Sequence, residues 1–339
     1  MTKPHPESGI PSVSADIDRA VSILKVGGLV AFPTETVYGL GADAENEAAV
    51  RRIFHVKGRP SDNPLIVHLA GKECLEDWAA GVTTLAWKLA DRFWPGPLTL
   101  ILRRVGRVPL VVTGGSETVG LRVPDQPLAL ALLRAFGRGV AAPSANKFGR
   151  TSPTTAEHVR EDLDDSVDFI LDGGPCRVGI ESTIVDFSSD EPAILRPGGV
   201  SREMIESVLG FSVPVRSGGK ILSPGQYRSH YAPRARVILS NLEGLPEAVH
   251  RFLSQGYRVG VLAPSESQNL PREVVRISLP SEPSFLARHL YVALREMDHR
   301  QCDIVLAVLP PEEGLGLAIA DRLRRAAGEG NIVKGEKVA

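Results

Sequence analysis

The chain has 339 residues, of which 43% are hydrophobic and 23% are charged, and its formal net charge is −1. These values are ordinary for a globular protein with sizeable cores, and the length favours two domains over one. A charge near zero argues against a strongly basic nucleic-acid-binding protein, because no overall field would attract RNA. No apolar run approaches the roughly 20 residues that a membrane-spanning helix needs.

Two further features of composition bear on the compartment. The three cysteines, Cys74, Cys176 and Cys302, are far apart and form no CxxC pair. An odd, unpaired set is typical of a reducing environment, which predicts a cytoplasmic protein. Residues 1–14 are rich in proline and serine but lack the apolar stretch of a secretory signal, so we expect a disordered lead-in there.

Helices and short strands alternate from residue 15 to 210, as in an α/β domain. An apolar stripe through Ile17, Ala20 and Leu24 predicts a first helix that ends at Gly27 and Gly28. The other predicted helices are 47–56, 83–93, 128–136 and 202–209, and the predicted strands are 29–32, 65–68, 98–102, 119–123 and short segments near 140, 169, 184 and 194.

Residues 211–233 interrupt this pattern with glycines, prolines and serines. A plain linker and a functional loop both fit such a segment. Its aromatic and basic residues, which are Tyr227, Arg228, His230, Tyr231 and Arg234 at its border, favour a lid that closes over a ligand.

A second α/β unit is predicted at 234–339, with strands at 236–239, 258–262, 274–278 and 304–309 and helices at 245–255 and 285–297. A last helix follows Gly314 and Gly316. These two glycines lack the third glycine of the dinucleotide fingerprint, which favours a tight strand-to-helix turn over NAD binding.

The segment KGRPSDNPLIVH follows a predicted helix. It places Lys57 and Arg59 in a turn that contains glycine and proline, and Asn63 and His68 come after this turn. Most basic turns are simply solvated. Here a strand fixes His68 nearby, and the two cations could clamp a polyphosphate, the lysine as a point charge and the arginine as a planar fork.

Three other segments offer polar groups at turns and strand ends. In APSANKFGRTSPT, small residues would let a ligand approach Ser144 and Ser152, although ordinary capping explains the same residues. In TVGLRVP, Arg122 lies among apolar residues, and a buried arginine needs either a protein carboxylate or a ligand anion. GIESTIVD and ILRPGG place Ser182 and Arg196 at strand ends, where open α/β sheets commonly bind ligands.

The sequence contains no phosphate-binding GxxxxGK[ST] loop, no GxSxG elbow and no Cys/His cluster with zinc spacing. The candidate residues are hydrogen-bond donors and cations rather than an activated nucleophile. Such a set suits nucleotidyl chemistry, in which positioning and charge stabilisation supply most of the catalysis.

The segments KGRPSDNPLIVH, TVGLRVP, APSANKFGRTSPT, GIESTIVD and ILRPGG, in this order, resemble the YrdC family of threonylcarbamoyl-adenylate synthases. SPGQYRSHYAP and GLGLAIADRLRRAA resemble the two-domain form of that family. The resemblance implies a YrdC-like twisted open α/β sheet around a large basic cavity at 15–210, a linker or lid at 211–233, and a smaller Rossmann-like α/β domain at 234–339.

The resemblance also implies a set of site residues. Those expected to bind ATP are Lys57, Arg59, Asn63, Thr118, Ala142, Ser144, Ser152, Arg196 and Tyr231, with Lys57 and Arg59 as the catalytic pair. Those expected in the threonine pocket are Thr34, His68, Arg122 and Ser182. Mg²⁺ would accompany ATP, without an assigned protein side chain as ligand.

The activity that the resemblance implies is synthesis of threonylcarbamoyl-adenylate and pyrophosphate from L-threonine, bicarbonate or CO2, and ATP. The product would pass to the machinery that modifies a tRNA adenosine, with at most a weak direct contact to tRNA. Two alternatives remain. One is a YrdC-like carbamoyltransferase, whose usual extra domains are not visible in the sequence, and the other is an RNA-binding protein without synthase activity.

Overall fold

A computed structural model describes residues 13–189, 191–216, 230–264, 270–279 and 282–328. Its helices are α1 (Val13–Lys25), α2 (Glu47–Lys57), α3 (Leu75–Trp78), α4 (Thr84–Phe93), α5 (Pro127–Phe136), α6 (Ala156–Leu163), α7 (Arg202–Leu209), α8 (Leu245–Ser254), α9 (Pro283–His299) and α10 (Leu315–Ala327). None of these helices is long and apolar enough to cross a membrane.

The strands are β1 (Val30–Phe32), β2 (Gly39–Asp43), β3 (Ile66–His68), β4 (Ala79–Ala80), β5 (Leu98–Arg104), β6 (Thr118–Arg122), β7 (Val140–Ala142), β8 (Phe169–Ile170), β9 (Thr183–Asp186), β10 (Ala193–Arg196), β11 (Arg236–Ser240), β12 (Val259–Pro264), β13 (Val275–Leu279) and β14 (Ile304–Val308).

Two predicted segments fall partly outside the described residues. These are the lead-in, of which 1–12 are not described, and the linker or lid, of which 217–229 are not described. The helix α1 begins at Val13, so the last two residues assigned to the lead-in are helical instead.

Strands β1 to β10 form a mixed sheet in the order β10-β9-β5-β6-β3-β7-β2-β1-β8, with β4 beside β5. The parallel pairing of β3 with β6 places His68 directly opposite Arg122, and the antiparallel pairing of β3 with β7 places Ile66 opposite Ala142. The register therefore gathers residues from distant motifs at one region of the sheet.

Helix α2 shows how local sequence aims one of these motifs. The Asn46 side chain caps its first turn by accepting from the Ala49 backbone N–H, and Gly58 ends it in a left-handed conformation with φ 62°. Glycine adopts this conformation without steric cost. The chain consequently turns at Gly58 and directs Arg59 away from the helix axis.

Strands β11 to β14 form a second sheet in the order β11-β14-β12-β13, and all its pairs are parallel. Helices α9 and α10 pack against it in an apolar cluster that also contains Val37 and Ile180 from the first domain. The two sheets confirm the predicted α/β architecture, and the shared cluster shows that the domains pack through a common apolar core.

The sequence analysis missed β2, the short elements α3 and β4, and α6. The five residues of β2, GLGAD, are all buried between β1 and β7, so the alternation that marks a half-exposed strand is absent. Helix α6 begins two residues after APSANKFGRTSPT, a segment that contains glycine and prolines and was interpreted as a turn, and no helix was predicted after it.

Candidate active site

An open cavity lies at the ends of β3, β6, β7 and β10. Nine residues that the sequence analysis assigned to ligands line it: Thr34, Arg59, His68, Arg122, Ala142, Ser144, Ser182, Arg196 and Tyr231. The lining also includes residues without a predicted role: Thr36, Val37, Gly39, Ile66, Pro143, Glu181 and His230. Lys57, Asn63, Thr118 and Ser152 are not part of the lining.

Thr34 forms a tight turn at one wall of the cavity. Its Oγ1 donates to the carbonyl oxygen of Val37 at 2.6 Å and accepts from the backbone N–H groups of Thr36 and Val37, each at 3.2 Å. One donor and two acceptor positions are all that a hydroxyl offers. The Thr34 hydroxyl therefore shapes the turn, and a ligand hydroxyl would have to be read by another group.

His68 is such a group. Its ring is buried, its Nδ1 has no hydrogen-bond partner among the described residues, and the Phe32 ring meets it edge-on at 5.6 Å. Burial, reinforced by the positive charge of Arg122, lowers the pKa of His68 to about 3. The imidazole is therefore neutral near pH 7, and the residue is part of the cavity wall.

The sequence left open which anion accompanies the buried Arg122. The structure supplies a protein carboxylate, because Glu35 Oε1 lies 2.7 Å from Arg122 Nη2 and both side chains are buried. Nη2 also donates to Thr36 Oγ1 at 2.9 Å, whereas Nη1 makes no hydrogen bond with the described residues. Glu35 thus orients the guanidinium, and one edge of it remains available to a ligand anion in the cavity.

The basic turn contributes Arg59 to the cavity lining. Arg59 is anchored by donating from Nε to the carbonyl of Asn63 at 3.2 Å and from Nη2 to the carbonyl of Pro64 at 2.9 Å. The Asn63 side chain is fully buried, and neither of its amide atoms has a partner within the described part of the chain. Buried amides are rarely left unpaired, so this one is a candidate for contact with a ligand or water.

Lys57 has a different position from the one its motif suggested. Its Nζ donates to the backbone carbonyls of Ser144 and Asn146 at 2.6 and 2.5 Å. Burial, followed by the charge of Arg59, lowers the pKa of Lys57 well below its usual value. In this arrangement Lys57 ties the end of α2 to the loop after β7, and it is not part of the cavity lining.

Another part of the wall is formed by Ser182 and Arg196, which are hydrogen-bonded to each other. Arg196 donates from Nε and Nη2 to the Ser182 carbonyl at 3.2 and 2.9 Å, and the Ser182 hydroxyl pairs with Thr99 Oγ1 at 2.8 Å. Ser152 lies behind this wall and donates to Glu181 Oε1 at 2.6 Å. Thr118 lies at the start of β6, where its hydroxyl pairs with Ser116 at 3.0 Å.

Two aromatic residues at the described end of the linker, His230 and Tyr231, are part of the cavity lining. The His230 and Tyr231 rings meet at 4.2 Å, and Tyr231 stacks on Tyr291 of α9 at 5.8 Å. The backbone N–H of His230 donates to the Arg325 carbonyl, and that of Ala232 donates to the Gly149 carbonyl. These residues are consequently anchored to both domains.

Sequence reasoning missed the two buried carboxylates, Glu35 and Glu181, and the partners that the second domain supplies. Glu181 lies in the motif GIESTIVD beside Ser182, and Glu35 directly follows Thr34. The sequence could have indicated this pairing. A glutamate in an otherwise apolar segment at a strand end needs a cation nearby, just as a buried arginine needs an anion.

Comparison with known proteins agrees with this arrangement. A family model described as telomere recombination, covering Sua5, YciO and YrdC proteins, matches residues 22–198, and a model for the C-terminal domain of threonylcarbamoyl-AMP synthase matches residues 200–328. The threonylcarbamoyl-AMP synthase of Bacillus subtilis is 45% identical, with 94% of each chain covered. That of Pyrococcus abyssi is 46% identical, with 91% of this chain and 93% of the relative covered.

The fold extends this likeness to both domains. The crystal structure of P. abyssi Sua5 complexed with L-threonine has 42% sequence identity, covers 97% of this chain and 98% of that chain, and superposes with a TM-score of 0.90. The matches run through both sheets and through every motif that lines the cavity. The chain therefore belongs to the two-domain threonylcarbamoyl-AMP synthase family.

Proposed function

We propose that this chain makes L-threonylcarbamoyl-adenylate and pyrophosphate from L-threonine, bicarbonate or CO2, and ATP. The observation that supports this most directly is the composition of the cavity wall. Arg59, Arg122 and Arg196 line one cavity together with the neutral His68. Several guanidinium groups in one cavity suit ligands that carry carboxylate and phosphate anions, as an amino acid and ATP do.

The chemistry needs positioning more than it needs a protein nucleophile. The threonine amine takes up carbon from bicarbonate to form a carbamate, with loss of water. A carbamate oxygen then attacks the α-phosphorus of ATP, the bond from that phosphorus to the bridging oxygen breaks, and pyrophosphate leaves. This transfer of an adenylyl group makes the enzyme a nucleotidyltransferase, and the arginines would stabilise the charge that develops on the phosphates.

Mg²⁺ would arrive with ATP and neutralise part of the phosphate charge. Among the described residues no group of three or more His, Cys, Asp or Glu is placed to hold a metal. Glu181 in the cavity lining and Glu35 behind it each have an arginine partner. We therefore propose that phosphate oxygens and water supply most of the ligands of this ion.

The defining experiment is mass spectrometry of the products from ATP, threonine and ¹³C-bicarbonate. Threonylcarbamoyl-adenylate carrying one ¹³C is the expected product, released with pyrophosphate. Carbamoyl-adenylate formed only when carbamoyl phosphate is supplied would instead indicate the carbamoyltransferase. A gel shift with tRNA and no turnover of ATP would indicate the RNA-binding alternative.

The cellular role extends from that reaction. We propose that the adenylate is consumed in the cytoplasm by the machinery that transfers the threonylcarbamoyl group to a tRNA adenosine. Direct contact with tRNA would be weak, because the formal net charge of the chain is −1.

A further inference from the structure

Glu181 lies in the cavity wall, but most of the groups that hold it come from the second domain. Arg322 of α10 reaches its Oε2 from Nε at 2.6 Å, and the Tyr291 hydroxyl of α9 donates to the carboxylate at 2.9 Å. Only Ser152, which donates to Oε1, comes from the first domain among the hydrogen-bond donors found for it. The side-chain position of this wall residue is consequently set across the domain interface.

The same guanidinium also contacts two other parts of the wall. Arg322 is fully buried, and its Nη2 donates to the carbonyl of Pro197 at 3.0 Å, one residue beyond Arg196. Its central carbon lies 5.0 Å from the centre of the Tyr231 ring, within the range of a cation–π contact. One side chain of the second domain thus bears on Glu181, Pro197 and Tyr231 together.

Tyr231 needs this support because its backbone is in an uncommon conformation. Its φ is 64°, in the left-handed region that side chains other than glycine seldom adopt. Such a conformation persists only where the surroundings over-determine it. Here the ring is enclosed by His230, Tyr291 and the Arg322 guanidinium.

We infer that Arg322 is a positioning residue for the nucleotide half of the active site, which it acts upon by fixing Glu181 and Tyr231. This inference rests on the proposed function, because the ligand whose binding it supports is ATP. Arg122, which is expected in the threonine half, is instead ion-paired with Glu35 of the first domain.

The test compares three variants of the full-length chain. Arg322→Met removes the charge and the fork, Arg322→Lys keeps the charge, and Arg324→Met makes the same change at an exposed arginine of the same helix, paired with Glu312 at the surface. Calorimetry would measure the affinities for ATP and for threonine separately, and circular dichroism would measure folding.

We expect Arg322→Met to weaken ATP binding at least tenfold while threonine affinity changes less than twofold. Arg322→Lys should give an intermediate ATP affinity, since an ammonium can still pair with Glu181 but cannot reach Pro197 as well. Arg324→Met should behave as the wild type. A folded Arg322→Met chain with unchanged ATP affinity, or with equal losses for both ligands, would overturn the inference.

Removing Arg322 alone leaves Glu181 as a buried unpaired charge, which can unfold a protein. The double variant Glu181→Gln with Arg322→Met removes both charges and should fold with the same loss of ATP affinity. Wild-type ATP affinity in that variant, or failure of both variants to fold, would show a purely structural role. A wild-type chain that binds ATP without making product would refute the proposed function but leave the inference about Arg322 open to the affinity test, and a wild-type chain that binds no ATP would refute both.

Discussion

At the scale of single residues, three arginines line the cavity, and two buried carboxylates in or behind its wall are paired with arginines. Arg59, Arg122 and Arg196 line it, and Glu35 and Glu181 are ion-paired with Arg122 and Arg322. Pairing fixes the guanidinium groups in orientation without cancelling all of their charge. The wall is therefore suited to a ligand that carries more than one anionic group, as ATP and an amino acid do together.

Replacing Arg59 by alanine should weaken ATP binding by about 1.5–3 kcal/mol, which is the range for a hydrogen bond to a charged group. This corresponds to a loss of roughly tenfold to a hundredfold in affinity, measured by calorimetry. Arg51→Ala is the matched control, because Arg51 lies exposed on α2 and pairs only with Glu47 at the surface. Unchanged ATP affinity in a folded Arg59→Ala chain would remove Arg59 from the phosphate site.

The amino-acid selectivity should depend on His68. Valine nearly matches threonine in shape but would leave polar groups of the wall, such as the His68 imidazole, without a hydrogen bond to the ligand, so we expect valine to support very little pyrophosphate release and serine to support some. His68→Phe should lower the rate with threonine and narrow the difference between threonine and valine. Equal rates with both amino acids in the wild type would contradict a pocket that reads the hydroxyl.

The sequence predicted the lining of the cavity better than it predicted the pairing within it. Motif residues such as Arg59, His68 and Arg196 could be recognised because local spacing identifies them. The pairing of Arg122 with Glu35 spans 87 positions of sequence, and that of Glu181 with Arg322 spans 141. Such pairs are set by the sheet register and by domain packing, which local patterns do not encode.

At the scale of elements, helix α9 approaches the first domain at Gly179. An added Cβ at this position would lie 2.4 Å from the Cα of Arg288, closer than real atoms approach. The contact is between two backbones, so neither side can move away as a flexible side chain would. Gly179 therefore fixes how closely α9, which carries Tyr291, lies to the cavity wall.

Gly179→Ala should destabilise the protein by more than about 1 kcal/mol, through both its φ of 81° and the clash with α9. Gly174→Ala is the matched control, since Gly174 has a φ of 75° and nothing within 4 Å of an added Cβ. The difference in melting temperature between the two variants isolates the clash, and only Gly179→Ala should also weaken ATP binding. Identical behaviour of both variants would mean that the close approach of α9 does not matter.

At the scale of the whole molecule, two buried histidines couple stability to pH. Burial lowers the pKa values of His68 and His230 to about 3 in the folded protein, whereas an exposed histidine titrates near 6.5. Between these values the unfolded chain binds more protons, so the free energy of unfolding falls as the pH drops below 6.5. The slope is at most about 1.4 kcal/mol per pH unit for each histidine.

This prediction can be checked from melting temperatures measured between pH 7.5 and 5. His230→Phe should keep the packing against Tyr231 and reduce the slope by up to the contribution of one histidine, about 1.4 kcal/mol per pH unit. His250→Phe makes the same change at an exposed position and is the control for the substitution itself. A wild-type stability that does not change from pH 7 to 5 would contradict the neutral, buried state of both rings.

Truncation tests whether the first domain is a complete enzyme. Its core continues past α7, because Val213 is buried in the main cluster, Val215 bridges to Ile194, and the Arg216 N–H donates to the Ile194 carbonyl. A chain ending at residue 216 should therefore be more stable than one ending at 209, since only the longer chain retains these contacts.

The longer fragment should nevertheless fail as a synthase. It loses Tyr231, it exposes Val37 and Ile180, which pack in the cluster of the second domain, and it leaves Glu181 without Tyr291 and Arg322. We expect circular dichroism to show a folded fragment whose ATP affinity and product formation fall at least tenfold below those of the full chain. Product formation by residues 1–216 at the full-length rate would show that the second domain is dispensable, and that the contacts converging on Glu181 serve the stability of the assembled chain alone.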